Sequence, residues 1–158
     1  MSWPAETKRV LVIDRIVDVL KAIREGASYF YTPASVEKRY THWKEVTRGP
    51  AYSVAVDSGG KLTYGLNGYV TEELYINVKG VVLEERDAVT AIARCIRDAR
   101  TAIDADMASA AAGSLGSLCK GLFFDEPPDT DNGYLSLEGK AQFEQRVRIV
   151  ISGQIGTL

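Results

Sequence analysis

The chain has 158 residues, 46% of them hydrophobic and 25% charged, with a net charge of −2. That length fits a single domain, residues 1–158, able to bury roughly 70% of the surface its unfolded chain exposes without a covalent staple. Near-neutral charge removes any general pull toward nucleic acid or an acidic membrane surface, and the composition is that of an ordinary globular chain.

Residues 4–25 read as the first helix, because Val10, Ile13, Val17 and Leu20 recur at three and four residues and Ile16 and Ile23 widen the stripe. Pro4 suits the first turn, Lys21 and Arg24 the last, and Gly26 the position just beyond. The early apolar run at 10–13 is too short for a signal sequence or a membrane span.

Three stretches of strand character follow, "SVEKRYTHW" at 35–43, "AYSVAV" at 51–56 and "LYINVKGVVL" at 74–83. Between the last two lies the glycine-rich segment 57–73. Leu62 and Tyr64 face Tyr69 and Val70 across residues 65–68, so the segment reads either as a hairpin arm projecting from the body or as a disordered loop.

A second helix is expected over residues 87–107, where Val89, Ile92, Ile96, Ala99 and Ile103 keep helical spacing. Arg94, Arg97, Asp98, Arg100 and Asp104 are assigned to its outer face. Residues 108–140 read as a long connection, first of small residues and then acidic and turn-rich. A final strand runs over 143–153, with Phe143, Val147, Ile149 and Ile151 inward and Glu144, Arg146, Arg148 and Ser152 outward.

The fold class is therefore α+β: a mostly antiparallel sheet of four to five strands with two helices packed on one face. Strand order is not fixed by the pattern.

Signs of chemistry are sparse. His42 is the only histidine, which excludes multi-histidine zinc sites. Cys95 and Cys119 stand far apart with no C-x-x-C pattern, as in a chain made in a reducing compartment, and read as small buried hydrophobes. "AGSLGSL" misses the nucleophile-elbow pattern because Ala112 stands two residues before Ser114. The acidic stretch Asp125, Glu126, Asp129, Asp131 and Glu138 offers hard oxygen ligands, but its glycine falls one position early for an EF-hand loop and Lys140 occupies the place of the bidentate Glu. No catalytic residue, cofactor or metal is assigned.

The order of elements carries a resemblance. "LKAIREGASYFY", "SVEKRYTHW", "PAYSVAV", "LYINVKGVV", "ERDAVTAIARCIRDARTAI" and "QFEQRVRIVISGQI" succeed one another in a way that resembles the tail terminator (tail completion) family of long-tailed bacteriophages. The segments 57–73 and 108–140 look longer than that family's compact pattern. The resemblance implies a small α+β subunit of the virion, assembled in the host cytoplasm into a homo-hexameric ring at the head-proximal end of the tail tube. Its implied partners are further copies of itself, the tail tube protein and the head connector or head-completion protein, with genome DNA passing through the ring without specific binding and no membrane involved.

Under that resemblance Glu144, Arg146 and Arg148 are a candidate seam between ring neighbours, against the alternative of a solvated sheet face. Asp125, Glu126, Asp129 and Asp131 are a candidate partner or lumen loop, and Leu62, Tyr64 and Tyr69 a candidate arm. Two other readings stay open: another neck or tail component, such as a head-closure protein or tube subunit, and a small ligand-binding protein or enzyme using His42, Tyr40 or Cys119 in a cleft.

Overall fold

Thr7 sets the start of the first helix, because its hydroxyl accepts the backbone N–H of Val10 and satisfies a donor that the first turn leaves free. In the computed structural model, which describes residues 3–83, 86–125, 133–135 and 139–158 (the side chains at 58, 59 and 133–135 excepted), α1 spans Lys8–Lys21. Pro4 precedes this cap instead of opening the helix. Val12, Ile16, Val17 and Leu20 are buried along one stripe. The second helix, α2, spans Ala88–Met107 and is capped by Asp87, whose carboxylate accepts both the N–H and the hydroxyl of Thr90.

Charge locks the two helices side by side. Arg15 donates to both carboxylate oxygens of Asp106, at 2.9 and 2.6 Å, and Asp106 also accepts the N–H of Leu115 at 2.9 Å. Leu115 opens the one-turn helix α3, Leu115–Leu118. The guanidinium of Arg15 holds the Asp106 carboxyl below the usual carboxylate range.

Beneath the helices lies one sheet built from β1 (Ser35–Glu37), β2 (Ala51–Tyr64), β3 (Tyr69–Leu83), β4 (Gly121–Asp125), β5 (Gly133–Leu135) and β6 (Lys140–Gln154). The strand order is β1-β2-β3-β6-β4, with β5 also on β6. Every neighbouring pair is antiparallel except β1 with β2. This is the expected α+β plan. Among the described residues it has six strands, because residues 108–140, read as connection, also contain α3, β4 and β5.

Pairing between β3 and β6 runs from Tyr69 opposite Gln154 to Leu83 opposite Lys140. Alternation along both strands puts Leu74, Ile76 and Val78 beside Val147, Ile149 and Ile151, all buried on the helix side. Each such side chain contributes roughly 1.5–3 kcal/mol relative to exposure. Gly80 belongs to this packing: a Cβ there would overlap the ring of Phe143, which stands edge-on to Tyr52 at 5.7 Å.

Residues 35–43 depart from the expected strand after Glu37. The Thr41 N–H turns to the Ser53 hydroxyl, and His42 Nδ1 accepts from the Lys44 N–H at 3.2 Å, capping a short turn at Trp43–Glu45. The chain then crosses to the side of the sheet away from the helices. There Val46, Ala51 and Val81 form a small second core with Trp43 packed on it, and burying these groups outweighs the strand alternation.

The segment 57–73 is a hairpin continuous with β2 and β3, not a loop. Gly65 donates to the Tyr69 carbonyl at 2.7 Å, and Asn67 and Gly68 take the left-handed conformations that such a tight reversal needs. It is not a two-stranded projection, because β6 pairs with its β3 side as far as Gln154.

Asp98 is a correction. Assigned to the outer face of the second helix, it is fully buried, and its carboxylate accepts the N–H groups of Phe30 and Tyr31 at 3.0–3.1 Å. A buried charge is tolerated when hydrogen bonds satisfy it, and here it clamps the loop after α1 to α2. Replacing Asp98 by Asn turns one acceptor oxygen into a donor facing an N–H. The variant is expected to lose roughly 1–3 kcal/mol of stability in urea unfolding, and a loss below 0.5 kcal/mol would refute the clamp.

Candidate functional site

Helices cover one face of the sheet. The other face is left to side chains, and register orders them in rows: Ser53–Lys79–Glu144, then Ala55–Asn77–Arg146–Asp125, then Asp57–Tyr75–Arg148–Phe123. The outward row of the last strand thus lies on this face, as its alternation predicts. Glu144, Arg146 and Arg148 are half-buried there and Ser152 is buried.

Both arginines find their partners inside the chain. Arg146 lies with its guanidinium 3.9 Å from the centre of the Tyr75 ring and 3.4 Å from the Asp57 carboxylate, and its side chain is only 18% exposed. Arg148 stacks on Phe123 at 4.5 Å and donates to Asp125 at 3.1 Å. Asp125 is held in turn by β6, because the Gln145 amide donates to its backbone carbonyl at 3.1 Å. Beside these pairs, Arg146 Nε and Asn77 Oδ1 are buried without a hydrogen-bond partner among the described residues. Opposite charges are therefore matched across three strands, and the face presents arginine–aromatic stacks more than free cations.

Of the acidic stretch singled out in the sequence, Asp125 is placed on this face at the end of β4. Glu126, Asp129 and Asp131 lie outside the described residues, as does Glu138. The arm residues divide between the two faces. Tyr69 lies on the outer face, where its hydroxyl donates to Ser152 at 3.0 Å and Lys120 sits 5.3 Å from its ring. Leu62 and Tyr64 alternate onto the helix side and are 48% and 70% exposed. Leu66 at the tip is 86% exposed.

At the opposite end of the outer face is a notch of about 240 Å³, walled by Tyr40 and Trp43 and floored by Gly80, Val81 and Phe143, with Lys79 and Glu144 at its side. Tyr40 was weighed from sequence, but neither His42 nor Cys119 lines this notch. His42 spends Nδ1 on a backbone cap. Cys95 and Cys119 are buried, and burial pushes both thiols up to about 12. Ser114 caps α3 and donates to the carbonyls of Ser109 and Ala111. Among the described residues no three His, Cys, Asp or Glu side chains gather as a metal site, and no helix is long and apolar enough to cross a membrane.

Sequence reasoning named Arg146, Arg148 and Asp125 but missed Asp57, Tyr75 and Phe123, which complete the outer face. Alternation alone places Tyr75 outward; the missing signal is the register, which sets Asp57 and Phe123 in its row. No protein-family model matches the chain, and no curated protein matches it.

If the arginines are held internally, truncating one destabilises the single subunit. Arg146→Ala is expected to cost roughly 1–2 kcal/mol through the lost stack and ion pair. A double-mutant cycle with Asp57→Ala should give a coupling of roughly 0.5–1 kcal/mol by urea unfolding. Zero coupling with two neutral single variants would return Arg146 to a merely solvated role.

Proposed function

We propose that the chain is a structural subunit of a bacteriophage tail, forming a homo-hexameric ring at the head-proximal end of the tail tube. In this reading it ends tube polymerisation and offers a docking surface to the head's connector. The observation that carries the proposal is the order of elements behind the resemblance, realised as one continuous sheet with both long helices on one side and a face of paired charges and aromatic rings on the other.

The charge pairing on that face supports the role in a second way. DNA moving past a wall of unpaired cations would be held, since each neutralised phosphate adds salt-dependent affinity. Here Arg146 is matched by Asp57 and Arg148 by Asp125, so this surface suits a passage that DNA traverses without binding. Asp125, the described member of the proposed lumen loop, stands on the same face.

Tube assembly tests the reading. Cognate tube protein polymerised with this chain is expected to give tubes capped at one end and arrested in length, and without it tubes of uncontrolled length. Equal length distributions with bare tips in both reactions would overturn the proposal.

A further inference from the structure

A ring needs each subunit to present two unlike surfaces that meet head to tail. The row on β6 is poorly placed to be one of them, because Arg146 and Arg148 already meet Asp57 and Asp125 of their own chain, and β6 itself has no edge to offer between β3 on one side and β4 and β5 on the other. Outer edges beside which no strand lies among the described residues belong to the three-residue strands β1 and β5 and to two longer stretches. The longer two are β2 beyond Ser53, where β1 ends, and β4. Such an edge is a row of backbone donors and acceptors that takes up another strand.

The edge of β2 is not uniform. Between Asp57 and Lys61 its pairing with β3 shifts, so that residues 58–60 stand against Leu74 alone. Glycine is required in that bulge, since a Cβ on Gly60 would overlap the Glu73 carbonyl. Bulges end regular pairing, and here the regular outer edge resumes only at Lys61 and runs to the turn at Gly65. Those four strand residues together with Gly65, which opens the turn, match the five of β4 in length. Resting on the ring reading above, we infer that the edge at 61–65 pairs antiparallel with the β4 edge of a second copy, and that this contact is the seam of the ring.

Chemistry selects the register. With Lys61 opposite Asp125 of the neighbour, Leu62 meets Phe124, Thr63 meets Phe123, Tyr64 meets Leu122 and Gly65 meets Gly121. Faces agree at every step, because Leu62 and Tyr64 lie on the helix side as Leu122 and Phe124 do, and Lys61 and Thr63 lie on the outer side as Asp125 and Phe123 do. The contact covers Leu62, Tyr64 and Phe123, which are 48%, 70% and 47% exposed in the single subunit. It also gives Asp125 a second cation beside Arg148. Because the two edges are unlike, the contact is head to tail and propagates from copy to copy until its rotation closes it.

Disulfide trapping in the full-length chain reads this register. Directly opposed residues of an antiparallel pair lie about 4.5–5.5 Å apart at Cα, within reach of a disulfide. A variant carrying both Thr63→Cys and Phe123→Cys is expected to oxidise into a ladder of covalent oligomers ending at a closed species. Either single substitution, and the native chain with Cys95 and Cys119, should give no ladder. Tyr64→Lys is expected to keep the unfolding midpoint of the native chain and weaken self-association at least tenfold. The seam is overturned if the double variant gives no ladder with or without tube protein, or if Tyr64→Lys associates as the native chain does. Tube-length control that survives either result removes the seam alone, whereas a ladder without length control removes the cap reading and leaves the seam.

Discussion

The antiparallel pairing of β3 with β6 is the constraint on which the rest depends. It joins the two longest strands over their whole lengths, Tyr69 to Leu83 against Lys140 to Gln154. Because side chains alternate with period two, this one register decides both faces at once, and a slip by one residue would invert them. It buries Ile76 beside Val147 and Leu74 beside Ile149 under the helices, and by the same step it sets Tyr75 beside Arg148 and Asn77 beside Arg146 on the outer face. Core and candidate functional surface are two consequences of a single alignment.

That alignment changes what the charges of the last strand can do. An exposed ion pair is worth only about 0–1 kcal/mol, and two long side chains lose freedom in making it. Arg146 and Arg148 gain more than a surface pair would, because each guanidinium lies over an aromatic ring while reaching a carboxylate on another strand, β2 for Arg146 and β4 for Arg148. Their chemistry is largely satisfied within the subunit. In the proposed ring, contacts between subunits fall to the groups that β3 and β6 leave unsatisfied, the outer edges of β2 and β4 and the apolar side chains at the hairpin tip.

Much of this fold is legible in the sequence where periodicity is long. The buried stripe of α1 and the alternation of β3 and β6 read directly, since each repeats over three or more periods before any tertiary contact is known. Residues 35–43 mislead because Trp43 and Val46 gain more by closing the second core than by continuing a strand. The strands β4 and β5 are too short to show a period, and "GLFFD" is a brief apolar run amid small residues. Asp98 looked solvated because helical spacing cannot reveal that the loop at Phe30 and Tyr31 brings two backbone donors to it. The partners of Arg146 and Arg148 were hidden for a similar reason: register, not local sequence, brings Asp57 and Asp125 to them.

A three-dimensional reconstruction of the tail tip in the intact particle tests the central claim most directly. The account predicts one ring of this chain at the head-proximal end of the tube, with Arg146 and Arg148 turned to Asp57 and Asp125 of their own subunit and the β2 edge meeting the neighbour's β4. A tip without this chain, or the chain stacked ring upon ring along the tube, would contradict it.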